Sequence, residues 1–316
     1  MKTLPEQIAA NKRASLLWAS LLFLLLVALG TSIVGSVAPK YWMYGAAGSV
    51  LLAAGLCAFA TFGGSKLVLR MSGAREATDK EDRVLRNVVE EMTLASGLPM
   101  PQIWVIDDHA PNAFATGRDP ENAAVAITTG LLRKLNRDEL QGVMAHELAH
   151  IRNYDIRFMT TVSIIAGVIP LLADAFLRMQ WYGGGRRRSD DDEDGGGGQL
   201  QLIFTIIGFV LAILAPIFAR LLELAVSRQR EYLADATAAD MTRNPQGLAS
   251  ALAKIENDPD PLEHANRATQ HMYIINPLRL HGGESLFSTH PPTGERIKRL
   301  LSLGANHQDP LGAARS

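Results

Sequence analysis

Two stretches without a charged side chain, separated only by Lys40, constrain this chain more than any other feature. The first lies between Arg13 and Lys40 and contains the apolar run Leu16 to Val27. The second runs from Tyr41 to Ser65. At about 1.5 Å per helical residue, either can cross a hydrocarbon core roughly 30 Å thick. A secretory signal peptide is the competing reading of the first run, but its apolar core is normally shorter and ends in a small-residue cleavage site. Here a second run follows at once. We therefore read a hairpin of two transmembrane helices, over about 14–37 and 41–65, with Tyr41, Trp42 and Tyr44 placed as interfacial aromatics.

Two later apolar stretches are shorter: Phe158 to Ala173, which contains Pro170, and Leu202 to Ala219, which contains Pro216. They are candidate third and fourth spans, over 158–177 and 202–219, with re-entrant or interfacial placement as the alternative. Between them, residues 183–198 hold Arg186 to Arg188, the acidic run Asp190 to Asp194 and flanking glycines, a composition that cannot bury a core and predicts a solvated loop. Lys2, Lys12 and Arg13 precede the first span and Lys66, Arg70 and Arg75 follow the second, so both flanks are expected in the cytoplasm. The arginine triplet fits that rule less well, since a spanning third and fourth helix would put it outside.

Composition removes several function classes. Lys plus Arg total 31 and Asp plus Glu 32, so there is no basic excess to neutralise phosphates, and nucleic acid is not an expected partner. The single cysteine, Cys57, excludes an intrachain disulfide, a Cys-rich zinc module and a CxxC redox centre, and it falls inside the second span. Any metal must be held by histidines and carboxylates.

The remaining sequence reads as one discontinuous α+β domain. Thr78 to Glu81 is a capping-box pattern that opens an amphipathic helix with Val84, Leu85, Val88, Val89 and Met92 on one face. Ile103 to Ile106 and Ala123 to Thr128 are β-branched runs expected to form a small sheet, separated by the turn-rich stretch 107–122. Asn136 and Glu139 form a second capping box before a helix with the stripe Leu140, Val143, Met144, Leu148 and Ile151. Further helices are expected over about 221–240, from Asn244-Pro245, and near 294–303.

That second capped helix carries His146-Glu147-Leu148-Ala149-His150. Residues four apart share a helix face, so both imidazoles can reach one metal while Glu147 points toward a metal-activated water, an arrangement suited to hydrolytic zinc. A catalytic zinc needs a third protein ligand. Glu231 is the candidate, with Asp235 on the same face at i, i+4 to orient a ligand histidine. The competing reading makes Glu231 a surface residue paired with Arg228, and on residues alone the two stand level. His109, His264, His271, His281 and His307 have no ligand spacing.

His146 to Asp155, the segment around Glu231 to Asp235, and Ser288-Thr289-His290-Pro291-Pro292-Thr293 together resemble the HtpX-type membrane zinc endopeptidases, relatives of the prenyl-protein (CAAX) endopeptidases. The resemblance covers nearly the whole chain, which departs from the pattern at the 183–198 loop. It implies one Zn2+ per chain held by His146, His150 and Glu231, with Glu147 as general base and His290 as donor to the oxyanion. It also implies Asp235, Asn153 and Asp155 as partners that hold the ligands, and Asn112, Ala113 and Phe114 within the stretch Pro111 to Ala115 as lining the substrate groove. Polypeptide substrates, membrane proteins among them, the bacterial inner membrane and a role in protein quality control under stress are implied in the same way.

The expected fold is thus a mostly α membrane protein with a small β-sheet: an N-terminal transmembrane hairpin (1–66), a first part of a zincin-like protease domain (67–157), an inserted apolar helical pair (158–220) and the second part of the protease domain (221–316). His150 and Glu231 can share an ion only if zero or two crossings separate them, so the whole site is expected on the cytoplasmic side. An extended substrate is expected to pair with an edge strand near Ala123 to Thr128. Two rival functions fit less well. An inactive scaffold with a structural zinc has no need of Glu147, and a metal transporter calls for ionisable groups inside the spans, where only Asp174 stands.

Overall fold

The computed structural model describes residues 4–78, 83–183, 197–263, 269–277 and 290–308. Most of the capping-box pattern at 78–81, the loop at 184–196, His264, His281 and the Ser288-Thr289 pair lie outside those residues. Ten α-helices and four strands are described: α1 (Leu4–Val37), α2 (Trp42–Phe62), α3 (Gly64–Met71), β1 (Ala74–Glu76), α4 (Arg83–Ser96), β2 (Gln102–Ile106), β3 (Ala113–Gly117), β4 (Ala123–Thr128), α5 (Thr129–Lys134), α6 (Arg137–Arg152), α7 (Asp155–Gly183), α8 (Gly197–Thr242), α9 (Pro245–Glu256) and α10 (Thr293–Gln308). The chain is mostly helical with one small mixed sheet, as expected.

The chain forms two compact units, one made of Arg13–Ala60 and Thr161–Glu223 and the other of Met1–Lys12, Thr61–Thr160 and Leu224–Ser316. The first contains the apolar helices. Many of its large apolar side chains face outward, among them Leu51, Leu52, Leu171, Ile206 and Ile213, while Ala53, Ala60, Ala173, Ala212 and Ala215 are buried beside Leu22, Leu29 and Phe176. Small residues inside and large apolar ones outside suit a hydrocarbon solvent, where close helix approach and not water expulsion holds helices together. Among the described residues four helices are long and apolar enough to cross a membrane: Ala9–Val37, Pro39–Phe62, Asp155–Tyr182 and Gly198–Leu221. The third and fourth extend beyond their uncharged cores at both ends, and α7 and α8 continue through Pro170 and Pro216.

The second unit is built on a four-stranded sheet of order β1-β2-β4-β3, with β2 and β4 parallel and the outer pairs antiparallel. Alternate residues feed two cores: Ile103, Val105, Ala113, Ala115, Val125 and Ile127 join Leu85, Val88, Leu140, Val143 and Leu148 on one side. Ile106, Phe114, Ala124 and Ala126 join Val68, Leu69 and Tyr273 on the other. The edge strand is not the expected one. β4 is interior, buried on both faces and paired on both sides, and the edge beside it is β3, which the turn-rich reading of 107–122 overlooked.

α6 passes through the middle of this unit and is buried at every position from Glu139 to Ile151 except Gln141. Its start is pinned by the expected capping box, Asn136 accepting from the Glu139 amide at 3.0 Å and Glu139 accepting from the Asn136 amide at 2.9 Å. A cap of this kind contributes about 1 kcal/mol. Glu139 also accepts from Ser250 Oγ (2.6 Å) and Lys254 Nζ (2.8 Å), which ties the helix start to α9. Further along, a Cβ on Gly142 would sit 2.6 Å from the Leu248 main-chain nitrogen, so only glycine lets α9 approach this closely. Gly142→Ala is accordingly expected to destabilise the protein by about 1–3 kcal/mol through backbone displacement, read as a lower unfolding temperature in detergent.

Candidate metal centre

His146 and His150 lie one turn apart on α6, and Glu231 reaches them from α8, the same helix that contains the fourth apolar span. His146 Nε2 and His150 Nε2 stand 3.2 Å apart. Glu231 Oε1 is 3.4 Å from His150 Nε2 and Glu231 Oε2 is 3.6 Å from His146 Nε2. Four ligands placed tetrahedrally at about 2.0–2.1 Å from an ion lie roughly 3.3 Å from one another, which these three atoms match. Two imidazole nitrogens facing each other at such a distance in a dry interior can share one cation or one proton. These residues form the one group able to hold a metal ion among the described residues.

The surroundings orient both rings for that task. His146 Nδ1 lies 3.0 Å from Asp235 Oδ1 and His150 Nδ1 lies 3.2 Å from Asp155 Oδ2, so each ring directs its Nδ1 to a carboxylate and leaves Nε2 for a ligand. Burial alone would lower His150, but hydrogen bonds and charge from Asp155 and Glu231 push it up to about 10. Burial would raise Glu231, yet the charge of Arg296 and hydrogen bonds from both imidazoles hold it well below the carboxylate range. The pocket therefore favours positive charge at the point where the three ligands converge. Glu231 is only 2% exposed and faces both histidines, which disposes of the surface reading.

Glu147 is buried as well, and neither of its carboxylate oxygens has a hydrogen-bond partner among the described residues. Leaving such a group unsatisfied costs about 1–3 kcal/mol or more. Burial raises its affinity for a proton. The stretch from 79 to 303, more than half of the chain, matches peptidase family M48.

The chain belongs to peptidase family M48. It is 46% identical over 302 residues to a protease HtpX homolog of Streptococcus gordonii, covering 94% of this chain and 99% of the relative. A protease HtpX homolog of Caldanaerobacter subterraneus subsp. tengcongensis is 47% identical over 305 residues, covering 96% and 98%. Among solved structures, S. mikatae Ste24p aligns with a TM-score of 0.46 and 20% identity over 92% of this chain and 63% of that one. The chain is a membrane metallopeptidase, and polypeptides are its substrates.

In this M48 peptidase His290 is buried, and burial pushes its imidazole down to about 4, opposed by Glu231 and reinforced by Arg296. It is neutral at physiological pH and can donate an N–H. Asn153, the helix C-cap, is buried but its side chain has no hydrogen-bond partner among the described residues, so the structure does not bring it to a ligand. The residues expected in the groove meet the segment around residues 273–275. Asn112 Nδ2 donates to the Ile275 carbonyl (3.0 Å), Ala113 O accepts from Ile274 N (2.9 Å), and Phe114 packs edge-on against Tyr273 with ring centroids 5.0 Å apart. The segment around residues 273–275 therefore already covers the first part of the β3 edge. Since Thr128 N donates to Asn112 O, the antiparallel alternation turns the main-chain groups of Ala115 and Gly117 outward.

Two buried arginines escaped the sequence reading. Arg296 donates to Asp235 through Nε (2.8 Å) and a terminal nitrogen (2.7 Å), and its other terminal nitrogen is 3.1 Å from Glu231 Oε2. Arg230 donates to Asp155 Oδ1 at 2.8 Å. In sequence Arg296 stands within Glu295-Arg296-Ile297-Lys298-Arg299, which reads as a solvated helix face, and Arg230 lies in the charged run Arg228 to Glu231. The i, i+4 placement of Arg296 against Pro292, just beyond His290, was the available hint, since it sets Arg296 one turn into a helix that begins beside that histidine.

Proposed function

We propose that this metallopeptidase is a zinc endopeptidase in which His146, His150 and Glu231 hold one Zn2+ per chain and Glu147 is the general base. The observation that carries the reading is the buried Glu147 carboxylate with no partner of its own beside three converging ligand atoms. A zinc held there supplies Lewis acidity to the scissile carbonyl. Glu147 takes a proton from the attacking water and returns it to the leaving amine, a role its raised proton affinity suits. His290, neutral, donates a hydrogen bond to the oxygen that gains charge. Asp235 and Asp155 hold the ligand rings through Nδ1. An extended polypeptide pairs with the main-chain groups of Ala115 and Gly117 that face away from β4, both residues being buried in this structure, which reads backbone and tolerates varied side chains. The test is hydrolysis of casein by detergent-purified protein. Activity is expected to fall to background on chelation and to return with stoichiometric zinc, and activity that survives complete metal removal would refute the reading.

The domain division read from the sequence belongs to this proposal, with the protease domain in two parts around the apolar pair. So does placement in a bacterial inner membrane with the site in the cytoplasm, supported by the basic residues flanking the first two spans. Such a tethered site suits quality control of membrane proteins. Glu121 is exposed on the sheet side of the site-bearing unit. In a Cys57→Ser background, Glu121→Cys is expected to react with an impermeant maleimide in inside-out membrane vesicles and not in right-side-out ones; the opposite pattern would reverse the orientation.

A further inference from the structure

The His150 side of the centre continues outward through three further groups. Asp155 takes His150 Nδ1 on one oxygen (3.2 Å) and the Arg230 guanidinium on the other (2.8 Å). Arg230 is 3% exposed, its guanidinium carbon stands 4.4 Å from the centroid of the Phe158 ring, and its second terminal nitrogen reaches the main-chain oxygen of Asn11 at 3.5 Å. Asn11 belongs to α1, directly before the first apolar run. The next residue, Lys12, places Nζ 3.9 Å from the centroid of the Tyr154 ring. Tyr154 holds a left-handed backbone (φ 61°), costly for a residue with a Cβ, at the break where α6 ends and α7 starts with Asp155. Lys12 thus touches the joint that presents Asp155 to His150, and its neighbour Asn11 touches the arginine that holds Asp155.

We infer that Arg230 is a positioning residue for the metal centre, and that the N-terminal turn at Asn11 and Lys12 helps to fix His150 through Arg230, Tyr154 and Asp155. The inference rests on the metal reading of His146, His150 and Glu231. Arginine is suited to the position because one planar fork can meet a carboxylate, lie over an aromatic ring and reach a carbonyl at once, which a lysine ammonium cannot. Asp155 is itself buried, so its hold on His150 depends on a fixed partner for its other oxygen. The consequence is that the chain segment just before the first span is part of the metal site's support, and that a change there alters how firmly the ion is kept.

The test uses full-length protein in detergent, with zinc stoichiometry of the wild type measured first. Release of zinc to a chelator and the visible spectrum of the cobalt-loaded protein are then compared for Arg230→Met, Arg230→Lys and Tyr154→Gly. Glycine keeps the left-handed backbone and removes the ring. Leu85→Ala, a cavity variant in α4, which contributes no group to the site, reports what general destabilisation does. Arg230→Met is expected to weaken zinc retention roughly 10- to 100-fold with a shifted cobalt spectrum. Arg230→Lys is expected to fall between it and the wild type, Tyr154→Gly to release zinc several-fold faster, and Leu85→Ala to match the wild type. Wild-type retention and spectrum in both Arg230→Lys and Tyr154→Gly would overturn the inference, and these two decide it if Arg230→Met does not fold. Wild-type protein that takes up no zinc would instead refute the metal reading.

Discussion

Glu147→Gln is expected to lower peptide hydrolysis by roughly a hundred- to ten-thousand-fold while leaving zinc content unchanged. Glutamine keeps the shape of the side chain and cannot take up a proton. Glu147 has no hydrogen bond to lose among the described residues and is not one of the three converging ligands, so the metal is expected to stay when its charge is removed. The measurement is casein or peptide cleavage beside metal analysis on the same preparation. Loss of zinc together with activity would make Glu147 a ligand or a structural group. Unchanged turnover would support the scaffold reading.

The second large effect is expected at Arg296. This side chain is 1% exposed and serves two buried carboxylates, Asp235 and Glu231, while a terminal nitrogen also donates to the Ile274 carbonyl at 2.9 Å. Arg296→Met leaves those carboxylates without their cation, and removing one partner of a buried pair typically costs about 3–5 kcal/mol. The loss is expected to be greater in metal-free protein, because a bound cation supplies part of the missing positive charge. Thermal unfolding with and without zinc checks both statements. A variant within about 0.5 kcal/mol of the wild type in both states would show that the arginine contributes little to the centre, as a surface substitution would.

Some of this was legible in the residues alone because local periodicity carries it. The spacing of His146 and His150 fixes a shared helix face, the Asn136–Glu139 box fixes where that helix begins, and uninterrupted apolar runs mark the spans. Glu231 was less legible, since nothing local separates a buried carboxylate from one paired with Arg228; its burial comes from where α8 lands on α6. β3 was missed because Ala113-Phe114-Ala115-Thr116-Gly117 has little intrinsic strand preference and owes its conformation to pairing with β4. That omission moved the edge to the wrong strand. β1 is three residues, two of them charged, and exists through its pairing with β2.

The two arginines show a different limit. Arg299 lies three residues beyond Arg296 and forms an exposed i, i+4 pair with Glu295, as a solvated helix face does. Arg296 is buried in the centre, while Arg299 lies over the Tyr232 ring beside it. The charge pattern of the segment is the same for both, and only the packing of α10 against α9 and the site separates them.

X-ray absorption at the zinc edge, on detergent-purified wild-type protein carrying one zinc per chain, tests the proposed centre most directly. Two imidazole nitrogens at about 2.0–2.1 Å with characteristic outer-shell scattering, and oxygen ligands completing a tetrahedral shell, are expected. Glu231→Gln is expected to lose an oxygen contribution or the metal itself while the fold persists. A shell without imidazole scattering, or a wild type that binds no zinc, would contradict the assignment of His146, His150 and Glu231.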